Sequence, residues 1–340
     1  MTSRRGILAA LEQAEGFVSG EELALRLGIS RAAVWKHVGA LKHAGYQIEG
    51  ARAKGYRLAA LPPSLTAGAI RSRLGPARIG RRIVIFDVTR STNSDAMTLG
   101  REGAAEGTVV LAEEQTAGRG RLGRTWESSR GVNLYMSLLL RPPVAPHLAP
   151  QLSLVAGVAV AETVREEGID ARIKWPNDVV TLAAAAGRNG ASLRKLAGIL
   201  TEIEAEADRA AFVVIGIGVN LNSQAEHFSK QLAGKATSVL IERGSPADRT
   251  AFAARLLLRF EQLYDEWLAR GFSAAAPRWR ELSVLDGRRV SVVSPGESFE
   301  GHCAGIDDDG ALRIDDGSGG QRRVVAGDVT ISGGYDRCQP

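Results

Sequence analysis

Residues 113–128 read EEQTAGRGRLGRTWES, and this stretch decides what kind of chain surrounds it. Gly118, Arg119, Gly120, Arg121, Gly123 and Arg124 place three glycines and three arginines within seven positions. Glycine lets a backbone bend and come close to a ligand. Arginine grips phosphate or carboxylate through a planar fork of donors. Together they predict a loop that closes over an anion. A disordered basic loop fits these residues alone equally well, so the sequence on either side has to decide.

That flanking sequence mixes strands and helices from about residue 65 to 282. Apolar runs of strand length lie at 82–86, 108–113, 133–140, 172–174, 196–203 and 212–219. Helical patterns occupy 152–164 and 247–268. The Ala/Gly-rich TLAAAAGRNGAS at 181–192 reads as a variable loop without chemistry. LPPS at 61–64 is a linker, because two prolines end regular structure. Before it, an S-x-x-E capping box at Ser19–Glu22, a stop at Gly28 and a cap at Ser30 delimit the second and third of three short helices. A tight Gly-containing turn joins those two, as in a helix-turn-helix. Residues 46–49 and 55–58 follow as two strands of a wing. After 282, short strands at 290–293, 298–304, 311–314 and 322–325 alternate with the turns SPGE, DDDG and DDGSGG, which predicts a small β-barrel. The expected units are 1–62, 63–281 and 282–340.

Charge separates these units. The 340 residues carry a net +5, and residues 1–60 hold nine Lys and Arg against five Glu, which is +4 of it. Ser30, Arg31, Ala32, Trp35, Lys36 and Lys42 lie at the start or on the outward side of the third helix and form the candidate DNA-binding face. A docking domain with a solvated basic face is the bland alternative. Cys303 and Cys338 have no short metal spacing, so a reducing cytoplasm is expected and a disulfide framework is not. The apolar runs 7–11 and 152–161 are too short for a signal peptide and a bilayer crossing respectively, so no membrane partner is expected.

Four further clusters of the middle unit carry chemistry: STNSDA at 91–96, KWPND at 174–178, RKLAGIL at 194–200 and GIGVNLN at 216–222. Each has an ordinary reading as a helix cap, a packing pair, a solvated strand end or a weakened strand. The Gly/Arg loop is not a Walker loop, since no Gly-Lys-Ser/Thr follows. It is not a dinucleotide fingerprint either, since arginines fill the places where pyrophosphate needs small residues. No Ser/Cys–His pair and no metal-ligand spacing stand out, and Asp307–Asp309 read as turn residues.

The ordered set S-T-N, Q-x-x-G-R-G-R-x-G-R-x-W, K-W-P-N-D, R-K-L-A-G-I-L and G-I-G-V-N resembles the biotin–protein ligases. With SRAAVWKHVGALKHAGY and KGYRL before it, the chain looks like the class that also represses biotin-synthesis genes. The segment TLAAAAGRNGASL, 181–193, departs from the family in looking longer than its usual turn. The resemblance implies an α+β chain: a winged helix-turn-helix, a mixed-sheet catalytic domain of class II synthetase type and a small SH3-like barrel. It implies ATP-dependent formation of biotinyl-adenylate, then transfer to a lysine of a carboxylase's biotin carboxyl carrier domain. Mg²⁺ is expected to arrive with ATP, operator DNA is an expected partner, and the adenylate-bound form is expected to be a homodimer. Lys195, Arg121 and Asp178 would be catalytic. Ser91, Thr92, Asn93, Gln115, Arg119, Gly120, Arg121 and Lys195 would hold biotin and its adenylate. Gly118, Arg124, Trp126, Lys174, Asn177 and Asn220 would serve the ATP side. A repressor that only senses its ligand, and lipoate ligation, are the alternatives.

Overall fold

The computed structural model describes residues 3–331 apart from 15, 44–45, 52–53, 61–64, 184–191, 207, 295 and 318. The expected linker, part of the wing tip, most of the Ala/Gly-rich loop and Cys338 lie outside the described residues.

Local capping chemistry shapes the first unit. Helices α1 (Ser3–Glu12), α2 (Gly20–Leu27) and α3 (Arg31–His43) precede the antiparallel hairpin of β1 (Gln47–Ala51) and β2 (Gly55–Ala60). Ser19 Oγ accepts from Glu22 N at 3.0 Å, and Ser30 Oγ accepts from Ala33 N at 3.1 Å. Gly28 ends α2 in the left-handed region, at φ 64°. Ile7, Leu11, Leu23, Val34, Val38 and Leu41 form the core, and Val132 of the middle unit packs into the same cluster. Gly55, at φ 99°, lies so close to residue 18 that a Cβ would sit 2.1 Å from Val18 O. Only glycine lets the hairpin pair there.

The middle unit contains α4 (Ala67–Leu74), β3 (Ile83–Thr89), α5 (Thr92–Arg101), β4 (Thr108–Gln115), β5 (Leu134–Leu140), α6 (Gln151–Arg165), β6 (Ala171–Lys174) and β7 (Asp178–Ala183). It continues with β8 (Ser192–Glu206), β9 (Arg209–Val219), α7 (Val239–Arg243), α8 (Arg249–Arg270) and α9 (Ala276–Leu282). The sheet runs β3-β4-β5-β9-β8-β7-β6, with β3 and β4 parallel and the other pairs antiparallel. Successive strand residues face opposite ways. Val109, Leu111, Leu138, Val213 and Ile215 therefore join the large core with α4, α6 and α8, while Val110, Leu139, Phe212 and Val214 pack with Ala96 of α5. The apolar helical stretch Pro146–Arg165 has 20 residues, enough by length and composition to cross a membrane and longer than the run expected from sequence. Most of it is buried in the protein core.

The last unit is an antiparallel sheet of β10 (Arg289–Ser294), β11 (Glu297–Ile306), β12 (Leu312–Asp315), β13 (Gln321–Val324) and β14 (Asp328–Ile331). Its order is β13-β12-β11-β10-β14. Among the described residues β13 and β14 are not paired, although only three residues separate them, and β14 pairs with β10 instead. β14 itself has no counterpart in the strands expected from sequence. The DDDG turn is more than a reversal of the chain: Gln151 Nε2 donates to Asp309 O at 3.0 Å and Trp175 Nε1 to Gly310 O at 3.2 Å. These bonds fasten the sheet to the middle unit.

Candidate active site

The register of the central sheet builds the floor of a cavity. On the α5 face, Leu139, Val214 and Glu202 lie in one row, Ser137, Gly216 and Leu200 in the next, and Tyr135, Gly218 and Gly198 beyond them. Along β9 the apolar Phe212 and Val214 give way to Gly216 and Gly218, so the surface drops away. Two side chains enter that space. A Cβ on Gly216 would lie 2.1 Å from Asn93 Oδ1. A Cβ on Gly218 would lie 2.5 Å from Trp126 Cε2, and one on Gly198 2.9 Å from Trp126 Cζ3. The GIG pattern thus makes room for an amide and an indole.

The start of α5 supplies the polar wall. Ser91 occupies the N-cap position but makes no side-chain cap bond, and it lines the cavity. Gln115 Oε1 accepts from Thr92 N at 2.9 Å, and Gln115 Nε2 donates to Ser128 Oγ at 2.8 Å. Asn93 Nδ2 donates to Leu200 O at 3.2 Å and to Glu202 Oε2 at 2.8 Å, while Ser137 Oγ donates to Asn93 Oδ1 at 2.6 Å. Both ends of the Asn93 amide therefore have protein partners, and the residue ties α5 to β5 and β8. Tyr135 lines the cavity and donates its hydroxyl to Ser129 O at 2.9 Å. Burial pushes its phenol well above its ordinary pKa, so it remains a neutral donor.

The Gly/Arg loop is folded against the protein. Arg119 pairs with Glu202 at 2.8 Å. Arg121 donates to Asn177 Oδ1 at 3.2 Å and to Gly327 O at 3.1 Å, and lies 3.4 Å from Asp328. Arg124 pairs with Asp328 at 2.6 Å. Lys195 Nζ lies 2.5 Å from Asp178 Oδ1 and 5.5 Å from the centre of the Trp126 ring. Its backbone is held on both sides, with Lys195 N donating to Lys235 O at 2.7 Å and Thr237 N to Lys195 O at 2.9 Å. The Trp126 Nε1 is buried without a hydrogen-bond partner among the described residues.

One cavity is lined by Ser91, Thr92, Asn93, Gln115, Arg119, Gly120, Arg121, Arg124, Trp126, Asn177, Asp178, Lys195 and Asn220. Two residues expected there are not among its lining. Lys174 is buried at the end of β6, the outer strand of the sheet. Gly118 acts by its size, since a Cβ would lie 2.5 Å from Trp126 O. Sequence reasoning missed Glu202 and Asp328, which hold the arginines, and Phe228, Leu232 and Ala236, which line the cavity from beyond β9. The last three follow no strand or helix period that could have announced them. On the first unit, Ser30, Arg31, Ala32, Trp35, Lys36 and Lys42 are all exposed, Trp35 to 72%.

Three family models match in the same order as these units. They are a helix-turn-helix domain over residues 4–57, the biotin/lipoate A/B protein ligase family over 85–220 and the biotin protein ligase C-terminal domain over 287–331. The chain is 38% identical over 332 residues to the bifunctional ligase/repressor BirA of Bacillus subtilis (strain 168), across 97% of this chain and 99% of that protein. The chain belongs to the biotin protein ligase family. Within the family, the bifunctional ligase/repressor BirA of Escherichia coli (strain K12) is 34% identical over 311 residues, 91% of each chain. The solved biotin protein ligase from Aquifex aeolicus in complex with biotin and ATP aligns at TM-score 0.62 and 25% identity, covering 74% of this chain and all of that one. Membership makes this chain a ligase, and its amino-terminal helix-turn-helix adds a unit of DNA-binding type.

Proposed function

We propose that the chain joins biotin to a lysine of a carboxylase's carrier domain through biotinyl-adenylate, and that its first unit represses transcription from an operator. The observation that carries the enzymatic half is the convergence of the Ser-Thr-Asn, Gly/Arg, Asn-Asp and Lys195 segments on one cavity. In the first step the biotin carboxylate attacks the α-phosphorus of ATP and pyrophosphate leaves. Two anions must approach, and Arg119, Arg121 and Lys195 supply preorganised positive charge against their repulsion. Ser91, Thr92 and Gln115 offer polar partners to the urea of biotin, while Asn93 shapes that wall. Trp126 covers the adenine, with Arg124, Asn177 and Asn220 around the nucleotide, while Gly120 lines the adenylate side of the cavity and Gly118 lets the chain pass close to Trp126. In the second step the carrier lysine attacks the acyl carbon, AMP leaves, and Asp178 orients the amine and takes its proton.

Mg²⁺ enters with ATP. The described residues include no group of three His, Cys, Asp or Glu that could hold an ion, and Asp178 and Asp328 are engaged by cations. Its ligands would be mainly the phosphates and water, as is usual for Mg²⁺ bound with a nucleotide. The proposed units are 1–62, 63–281 and 282–340. The adenylate-bound enzyme is a cytoplasmic homodimer that meets operator DNA through Ser30, Arg31, Ala32, Trp35, Lys36 and Lys42. Biotin-dependent ATP–pyrophosphate exchange, run against lipoate, tests the reading. Exchange with biotin supports it. Exchange with lipoate alone would give the site to the other branch of the matched family, and exchange with neither would leave a ligand-sensing repressor.

A further inference from the structure

Arg121 is held from two sides. On one, Asn177 accepts from it at 3.2 Å and is itself locked to β8, with Asn177 Nδ2 donating to Ile199 O and Ile199 N to Asn177 O, both at 2.9 Å. On the other stands the start of β14. Gly327 O accepts from Arg121 at 3.1 Å, and Asp328 lies 3.4 Å from Arg121 and 2.6 Å from Arg124. Gly327 is at φ 147°, where a Cβ would meet Val293 O at 2.6 Å, so only glycine lets this chain pass close to β10 and aim its carbonyl at the loop. Asp328 is pinned in turn by pairing with Val293 in the β10–β14 ladder. The side chain of Arg124 is 68% exposed, so little packing holds it in place.

We infer that Asp328 is a positioning residue of the ligation reaction: from the carboxy-terminal sheet it holds Arg121 and Arg124 of the Gly/Arg loop where the anionic ligand meets them. The inference rests on the proposed ligand site and extends it to the third unit. Two long arginine side chains would otherwise lose much rotamer freedom when the ligand binds. A carboxylate on a paired strand removes that cost beforehand, which is preorganisation of charge. Among the described residues Arg121 reaches Asp328 and Asn177 through Nη1 and Gly327 through Nη2.

The test compares wild type with Asp328→Asn, which keeps the shape and removes the charge, and with Asp328→Glu. Trypsin cleavage after Arg121 and Arg124 in the absence of ligand reads the loop directly. Pyrophosphate exchange reads KM for ATP and kcat, and a chase reads adenylate dissociation. For Asp328→Asn we expect cleavage, KM and dissociation each to rise about fivefold, equivalent to about 1 kcal/mol, with kcat within twofold. Asp328→Glu should recover most of the loss. In the double variant Arg124→Ala with Asp328→Ala, the two effects should not add, because they share one contact. Unchanged cleavage and KM in a folded Asp328→Asn protein would overturn the inference. So would a lower KM, which would make Asp328 a competitor of the ligand, or a lowered melting temperature with kinetics intact. If wild type itself shows no biotin-dependent exchange, the functional reading fails, and the cleavage comparison still decides whether Asp328 holds the loop.

Discussion

Lys195→Ala separates the stability of the site from its chemistry. The ammonium lies 2.5 Å from Asp178, and the two side chains are 30% and 22% exposed. A pair that water still reaches contributes only about 0.2–1 kcal/mol to folding. The backbone of Lys195 is anchored by Lys235 and Thr237 whatever the side chain, so β8 keeps its place. The melting temperature should therefore fall by no more than about 4 °C. The reaction should suffer far more. Removing one preorganised charged or polar donor from a transition state costs about 2.7–4 kcal/mol, a factor of about 10²–10³. In the proposed site the alanine variant would also leave Asp178 uncompensated beside the carboxylate to be activated, which adds repulsion. Lys195→Arg keeps the charge, but its broad guanidinium has little room beside Gly198, where an added Cβ would already lie 3.3 Å from Nζ. It should fold and recover only part of the rate. Biotin-dependent pyrophosphate exchange with a parallel thermal melt measures both quantities. Exchange within threefold of wild type in the alanine variant would remove Lys195 from the chemistry.

Gly218→Ala places a methyl 2.5 Å from Trp126 Cε2, and overpacking of this kind costs about 1–3 kcal/mol. Trp126 should be displaced, with shifted indole emission relative to a Trp126→Phe background and a raised KM for ATP; unaltered emission would mean the indole does not rest on β9. Replacing Arg31 and Lys36 with alanine should lower the salt slope of DNA binding by about 0.9 per lost phosphate contact while ligation persists. A filter-binding salt titration checks this, and an unchanged slope would place the phosphate contacts elsewhere. Burial pushes the Cys303 thiol from its ordinary value near 9.0 up to about 11, so the folded state favours its neutral form. The sign follows: the contribution is complete below pH 9 and is lost as pH rises through about 11. Denaturant midpoints of wild type should fall more steeply across that window than those of Cys303→Ala, and parallel curves would refute the assignment.

Much of this protein is local and therefore readable in its sequence. Ser19, Gly28 and Ser30 act within three or four residues of themselves, so their caps need no tertiary information. The apolar strands of the middle unit and the ordered motifs are equally visible, and the motifs suffice to name the family. The assembly of the site is not local. Arg119 finds Glu202 83 positions away, and Arg124 finds Asp328 across 204, on a strand too short and mixed to stand out. Gly198 and Gly218 look like ordinary weak points of two strands until the β8–β9 register sets them side by side under Trp126. Likewise Asn93, which reads as a ligand group, is bonded at both ends once α5 lies on β5 and β8. The sequence by itself specified which residue types the chemistry requires and where the chain bends. Only the tertiary structure decided which charges meet, because a partner is chosen by sheet register and the packing of distant elements, and no local propensity encodes either.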